Sequence, residues 1–110
     1  MALLKRKQRD GQQTQAPAEP VGTPIAQVVS RQRVCVVGKV IRMKARPTSG
    51  EPALAVSISD DTGTVTAVWT GRRHIGGITL GRRVAIEGVP AVRGDHLEFT
   101  NPGYTLLPRA

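Results

Sequence analysis

The stretch from Ala53 to Gly77, "ALAVSISDDTGTVTAVWTGRRHIGG", decides the fold. Leu54, Val56 and Ile58 alternate with Ala53, Ala55, Ser57 and Ser59, the period of two that a half-buried strand requires. Asp60-Asp61-Thr62-Gly63 then supplies turn chemistry: an aspartate able to accept backbone N–H bonds, and a glycine expected to supply a torsion other residues resist. After it, Val65, Ala67 and Trp69 alternate with Thr64, Thr66 and Val68. Two strands joined by a tight turn follow, each with one apolar face and one face of small or hydroxylated residues expected to be flat and accessible. Alternation puts Trp69 in the core, with Val65 and Ala67. The second strand ends in Arg72, Arg73 and His74, a basic cluster beside the sheet.

Outward from this hairpin the chain reads as more short strands. "VCVVGKVIRM" (Val34 to Met43) is β-branched with apolar residues at both parities, the pattern of a strand that bends, and Gly38 marks a bulge or tight corner. "KARPTSGEP" (Lys44 to Pro52) is a loop. "GRRHIGGITLG" is a connector with at most a short helix or turn, anchored by Ile75, Ile78 and Leu80. "RRVAIEGVPAV" gives strand four through Val84 and Ile86, ending near Pro90. Arg93-Gly94-Asp95 is a turn, "HLEFT" is strand five, and "NPGYTLLP" carries Tyr104 and Leu106 back toward the core. Upstream, "TPIAQVVS" predicts a short helical turn with Thr23 as cap and Pro24 at its first position. The expected fold is all-β, a five-stranded Greek-key barrel; an SH3-like barrel is the nearest competitor.

The 110 residues suffice for one domain and an extension. Residues 1 to 23, Gln-rich and Pro-containing, read as a disordered basic tail, and 24 to 110 as the domain. Sixteen Lys and Arg stand against eight Asp and Glu, a net charge of +8. Only +2 of it falls in the tail, so the domain itself is basic and suits a polyanionic partner. Cys35 alone can form neither an internal disulfide nor a CxxC site, and in its apolar run it reads as a small buried hydrophobe. "MALLKRKQRD" contains no stretch of signal-peptide length and no run spans a bilayer, which points to the cytoplasm and against direct membrane insertion.

"VCVVGKVIRM", "LAVSISDDTGTVTAVW" and "LGRRVAIEGVPAVRGDHLEFTNPGY" together resemble OB-fold nucleic-acid-binding domains of the anticodon-binding type, and are similar to the wedge domain of RecG-type DNA helicases. The resemblance covers about Arg33 to Leu107 and rests on Val36 to Val40, Ser59 to Val65, Gly81 to Gly88 and Asn101 to Tyr104. It implies a ligand across strands two and three, between the loops joining strands one to two and four to five. The implied floor is Ala55, Ser57, Thr66 and Val68; the walls are Arg42, Lys44 and Arg46 on one side and Arg93 on the other, with Arg72, Arg73 and His74 at the end of strand three. The expected partner is nucleic acid, single-stranded DNA or RNA first, or a forked form. The alternative is an adaptor docking on a larger enzyme or membrane-protein partner.

The chemistry-bearing residues point away from catalysis. Asp60 and Asp61 are adjacent, so their carboxylates diverge, and no third acid recurs beside them to hold magnesium. Ser57 and Ser59 lack a triad partner, His74 and His96 are too few for a zinc site, and no P-loop is present. No cofactor, metal or catalytic residue is assigned. With only Trp69, Phe99 and Tyr104 aromatic, the floor carries no stacking platform, so binding is expected to be electrostatic, weak and salt-sensitive.

Overall fold

The computed structural model of the protein describes residues 22–46 and 50–108. Its strands are β1 (Val34–Ala45), β2 (Ala53–Ser59), β3 (Thr64–Thr70), β4 (Arg83–Gly88), β5 (Ala91–Arg93), β6 (His96–Thr100) and β7 (Gly103–Leu106). They form one sheet in the order β5-β6-β3-β2-β1-β4-β7. Every pairing is antiparallel except β3 with β6. The fold is all-β, as the alternation demands.

The hydrogen-bonded ladder has seven strands and stays open, where five strands and a closed barrel were expected. One cause is that the chain, after the break at Pro90, which has no N–H to donate, resumes as a further strand, β5, beyond the expected end of strand four. Another is the closing segment, which pairs with β4 as a strand of its own. β5 is one edge of the ladder and β4 lies next to the other, yet only Val89 and Pro90 separate them. So short a link draws the two ends of the sheet toward each other, and the sheet curls around its core.

That core holds Val36, Val40, Val56, Ile58, Val65, Ala67, Trp69, Ile75, Ile78, Val84, Ile86 and Phe99. Trp69 is buried with the parity that alternation assigned to it, and its indole N–H donates to the Pro102 carbonyl at 3.1 Å. Three local expectations are corrected. Leu80 is exposed at the tip of the connector, which among the described residues contains turns and no helix. Cys35 is half-buried; burial, then the nearby Glu87 carboxylate, push its thiol above the usual value. The helical turn exists as a 3-10 turn at Ile25–Gln27, but Pro24 takes the cap position with no side-chain bond, and Thr23 instead donates its backbone N–H to Cys35. The tail expected over residues 1 to 23 lies outside the described residues up to 21, and Gly22 and Thr23 already run against β1.

Asp60 organises the β2–β3 turn. Its Oδ1 accepts the backbone N–H groups of Thr62 (2.7 Å) and Gly63 (3.0 Å) and the Thr62 hydroxyl (2.7 Å). Its Oδ2 accepts the N–H of Ile25 at 2.9 Å, so one side chain ties the 3-10 turn to the hairpin. Burial pushes this carboxyl up, but the bonds from Thr62, Ile25 and Gly63 outweigh it and hold the group below its usual value. Gly63 does not have the positive φ expected of it. A Cβ there would stand 3.1 Å from the Ile25 side chain, a tight contact that Ile25 would have to shift to relieve. Asp60→Ala is expected to lower stability by about 2 kcal/mol, the scale of losing hydrogen bonds to a charged group, with Asp60→Asn intermediate; urea denaturation measures both.

The bend in β1 lies three residues beyond Gly38. Val40 pairs with Ile58 and Arg42 with Ser57, which leaves Ile41 as the extra residue of a bulge. Gly38 has a different role: a Cβ there would sit 2.6 Å from the Ser59 carbonyl oxygen, so only glycine lets β1 approach the end of β2 this closely.

Candidate functional site

The bulge decides which residues share the outer face of the sheet. Before it, even-numbered residues of β1 point to the core: Val36 and Val40 are both buried. Unbroken alternation would send Arg42 and Lys44 inward as well. The extra residue reverses the parity, so Met43 packs on the core while Arg42 and Lys44 stand exposed opposite Ser57 and Ala55.

Two rows of side chains then cross the sheet. The first runs Arg42, Ser57, Thr66, Glu98 over β1, β2, β3 and β6. The second runs Lys44, Ala55, Val68, Thr100. The structure therefore brings Arg42 and Lys44, expected as a wall beside the floor, onto one face with Ser57 and Thr66. The face is less open than expected: Ser57 and Thr66 are half-buried, and Val68 and Ala53 are buried.

Arg72, Arg73 and His74 are exposed beyond the end of β3. They follow Gly71, whose positive φ (76°) turns the chain and whose N–H donates to the Pro52 carbonyl in the β1–β2 connection. This places Arg73 on a groove of about 580 Å³ shared with Ala45, Arg46 and Gly50 to Ala53. Among the described residues, Arg42, Lys44, Arg72 and Arg73 have no ion-pair partner.

Arg46 and Arg93 behave differently. Arg46 donates from both terminal nitrogens to the Glu98 carboxylate, at 2.9 and 2.8 Å. Arg93 donates through Nε to the same group at 3.3 Å, and His96 Nε2 lies 3.4 Å from it. Glu98 is 3% exposed under these partners. The Arg46 hydrogen bonds hold its carboxyl down to about 2 against the opposing effect of burial, with His96 and Arg93 adding to the shift. In turn the carboxylate raises the Arg46 guanidinium above its usual value.

Glu98 was missed in the sequence, although one signal was present. In "HLEFT", Leu97 and Phe99 claim the core, so Glu98 must share the opposite face with the basic residues. What no spacing reveals is that Arg46, 52 positions earlier, reaches it.

Among the described residues no group of three or more His, Cys, Asp or Glu is placed to hold a metal, and no helix is long and apolar enough to cross a membrane. No family model matches the sequence, and no curated protein gives a significant match.

Proposed function

We propose that the protein is an OB-type barrel that binds single-stranded or forked nucleic acid, mainly through the phosphate backbone, as an accessory factor in DNA or RNA metabolism. A partly open, five-stranded Greek-key barrel binds oligonucleotides on the face of its second and third strands. The β1-β2-β3 meander, the parallel β3–β6 pair and the return of β4 onto β1 support that reading if β4 and β5 are the two halves of strand four. The observation that carries the function is the bulge at Ile41. It turns Arg42 and Lys44, two cations with no ion-pair partner among the described residues, onto the face of Ser57 and Thr66. The reading assigns binding and no reaction, and the compartment that goes with it is the cytoplasm.

Trp69 and Phe99 are buried in the core, and Tyr104 lies on β7, at the far edge of the ladder from β6. No aromatic platform stacks bases on this face, so affinity is electrostatic and falls steeply with salt. Arg42→Ala with Lys44→Ala, and separately Arg72→Ala with Arg73→Ala, are expected to weaken binding of every sequence alike. Each pair is expected to lower the salt slope by about 1.4, or about 0.7 per lost contact on a single strand. Anisotropy titrations of labelled single-stranded DNA, RNA and duplex at several salt concentrations measure this. Unchanged affinity and slope in both pairs would overturn the phosphate track.

The adaptor reading has one observation in its favour. Val92, 63% exposed, stands over a cleft of about 410 Å³ with Ile25, Val65 and Leu97 in its walls. No binding of any of the three nucleic acids at low salt would favour it.

A further inference from the structure

A carboxylate in the middle of a basic face is an obstacle to a polyanion, and Glu98 lies in the same row as Arg42, Ser57 and Thr66. Its surroundings give it a different role. Arg46 stands just past the end of β1, where the β1–β2 connection begins, and Arg93 ends β5 at its turn into β6. These are the two connections that flank the proposed ligand face. Both guanidinium groups converge on one buried acceptor, while Arg46 stays 36% exposed and Arg93 63% exposed.

Glu98 takes two N–H groups of Arg46 and one of Arg93. A guanidinium carries about five such donors in a fixed fork. The paired bonds fix the plane of the Arg46 fork without exhausting it, the single Nε bond tethers Arg93 beside it, and a planar fork is the geometry that grips phosphate oxygens. His96, two residues earlier on β6, flanks the group; the fully exposed Asp95 contacts His96.

We infer that Glu98 is a positioning residue: it holds Arg46 and Arg93 at a set spacing as a two-guanidinium seat for one backbone phosphate, at the β6 end of the track. This rests on the proposed nucleic-acid reading. It makes the seat rigid before the ligand arrives, so the arginines lose little side-chain freedom on binding. It also gives a result opposite to simple charge counting, in which removing a carboxylate from this face tightens the grip on a polyanion.

The experiment is anisotropy titration of a fluorescein-labelled single-stranded DNA oligonucleotide by the full chain across a salt series. Glu98→Asp keeps the charge but is too short to span both arginines, so any change it causes comes from geometry. It is expected to weaken binding several-fold. Glu98→Gln is expected to weaken binding as well, and to lower the salt slope by about 0.7, the share of the one phosphate the seat holds. In a chain already carrying Arg46→Ala and Arg93→Ala, Glu98→Gln is expected to change nothing further, a result that general loosening of the sheet would not give. Thermal melts confirm that each variant is folded at the titration temperature; if Glu98→Gln is not, Glu98→Asp decides alone.

Tighter binding or a steeper slope in Glu98→Gln, or unchanged affinity in Glu98→Asp, overturns the inference. The functional reading fails separately: if Arg42→Ala with Lys44→Ala weakens binding while the Glu98 variants do not, the reading stands and only the seat is lost. If the unaltered chain binds no strand at low salt, both fall.

Discussion

Replacing Trp69 by alanine is expected to lower stability by about 3 to 5 kcal/mol, the range for truncating a large aromatic side chain in a packed core. The indole is 6% exposed and packs in the same cluster as Leu54, its partner across β2 and β3. Its N–H is satisfied by the Pro102 carbonyl, and its ring meets Tyr104 edge-on, with centroids 5.7 Å apart. Truncation therefore opens a cavity, leaves a buried carbonyl short of a donor, and removes one set of contacts that hold the closing segment beside β3, the Asn101 bonds to Val68 and Thr70 being the others. Trp69→Phe keeps most of the volume but not the N–H, and is expected to recover over half of the loss. Urea denaturation followed by far-UV circular dichroism measures both. A variant Trp69→Ala that keeps its stability and loses nucleic-acid binding would show that the indole stacks bases instead.

Acid is expected to remove stability through Glu98. Its carboxyl, near 4.5 when exposed, is held down to about 2 in the folded chain by the bonds from Arg46 and then by His96 and Arg93, against burial. A depressed folded value means that the unfolded chain binds the proton first. The contribution is then fully present above the unfolded value, near 4.5, and is lost as the pH falls from there through about 2. Its size is on the order of 2 to 3 kcal/mol, since one unit corresponds to about 1.4 kcal/mol and the exposed edges of the arginines are screened by solvent. Asp60, also held low, adds a loss of the same sign. Denaturation curves at pH 7, 4 and 2 are expected to show a smaller acid loss in Glu98→Gln than in the unaltered chain. Equal losses in the two would mean that the cluster contributes nothing to folding.

Both predictions bear on how far the sequence could be read. Trp69 was assigned to the core from parity alone, and correctly, because β3 pairs with β2 from Thr64 to Thr70 without a bulge. In an unbroken strand alternation is a geometric necessity. β2 and β6 fell where their alternation put them, and Asp60 holds its turn as an aspartate in that position should. β1 resisted the same method. Its two parities announced a bend, but a β-branched run does not say which residue is squeezed out, and Ile41, not Gly38, is the extra one. The break at Pro90 was seen as an end of strand four; that the chain resumes as β5 on the opposite edge is a matter of pairing, which a local pattern does not specify.

The candidate site divides along the same line. Its basic character and the absence of aromatics from its floor are properties of composition and alternation, so the chain by itself determined them, together with the all-β class and the tight β2–β3 turn. Which cations stand without an ion-pair partner was decided only by the tertiary structure. Arg42, Lys44, Arg46 and Arg93 are alike in sequence, yet Arg46 and Arg93 converge on Glu98 while Arg42 and Lys44 do not. Arg46 meets Glu98 across 52 positions because the sheet sets β1, β2, β3 and β6 side by side and the long Arg46 side chain reaches Glu98 across them. Such a contact depends on how strands far apart in the chain are ordered and how the sheet bends, and neither is encoded in the short-range periodicity from which strands are read.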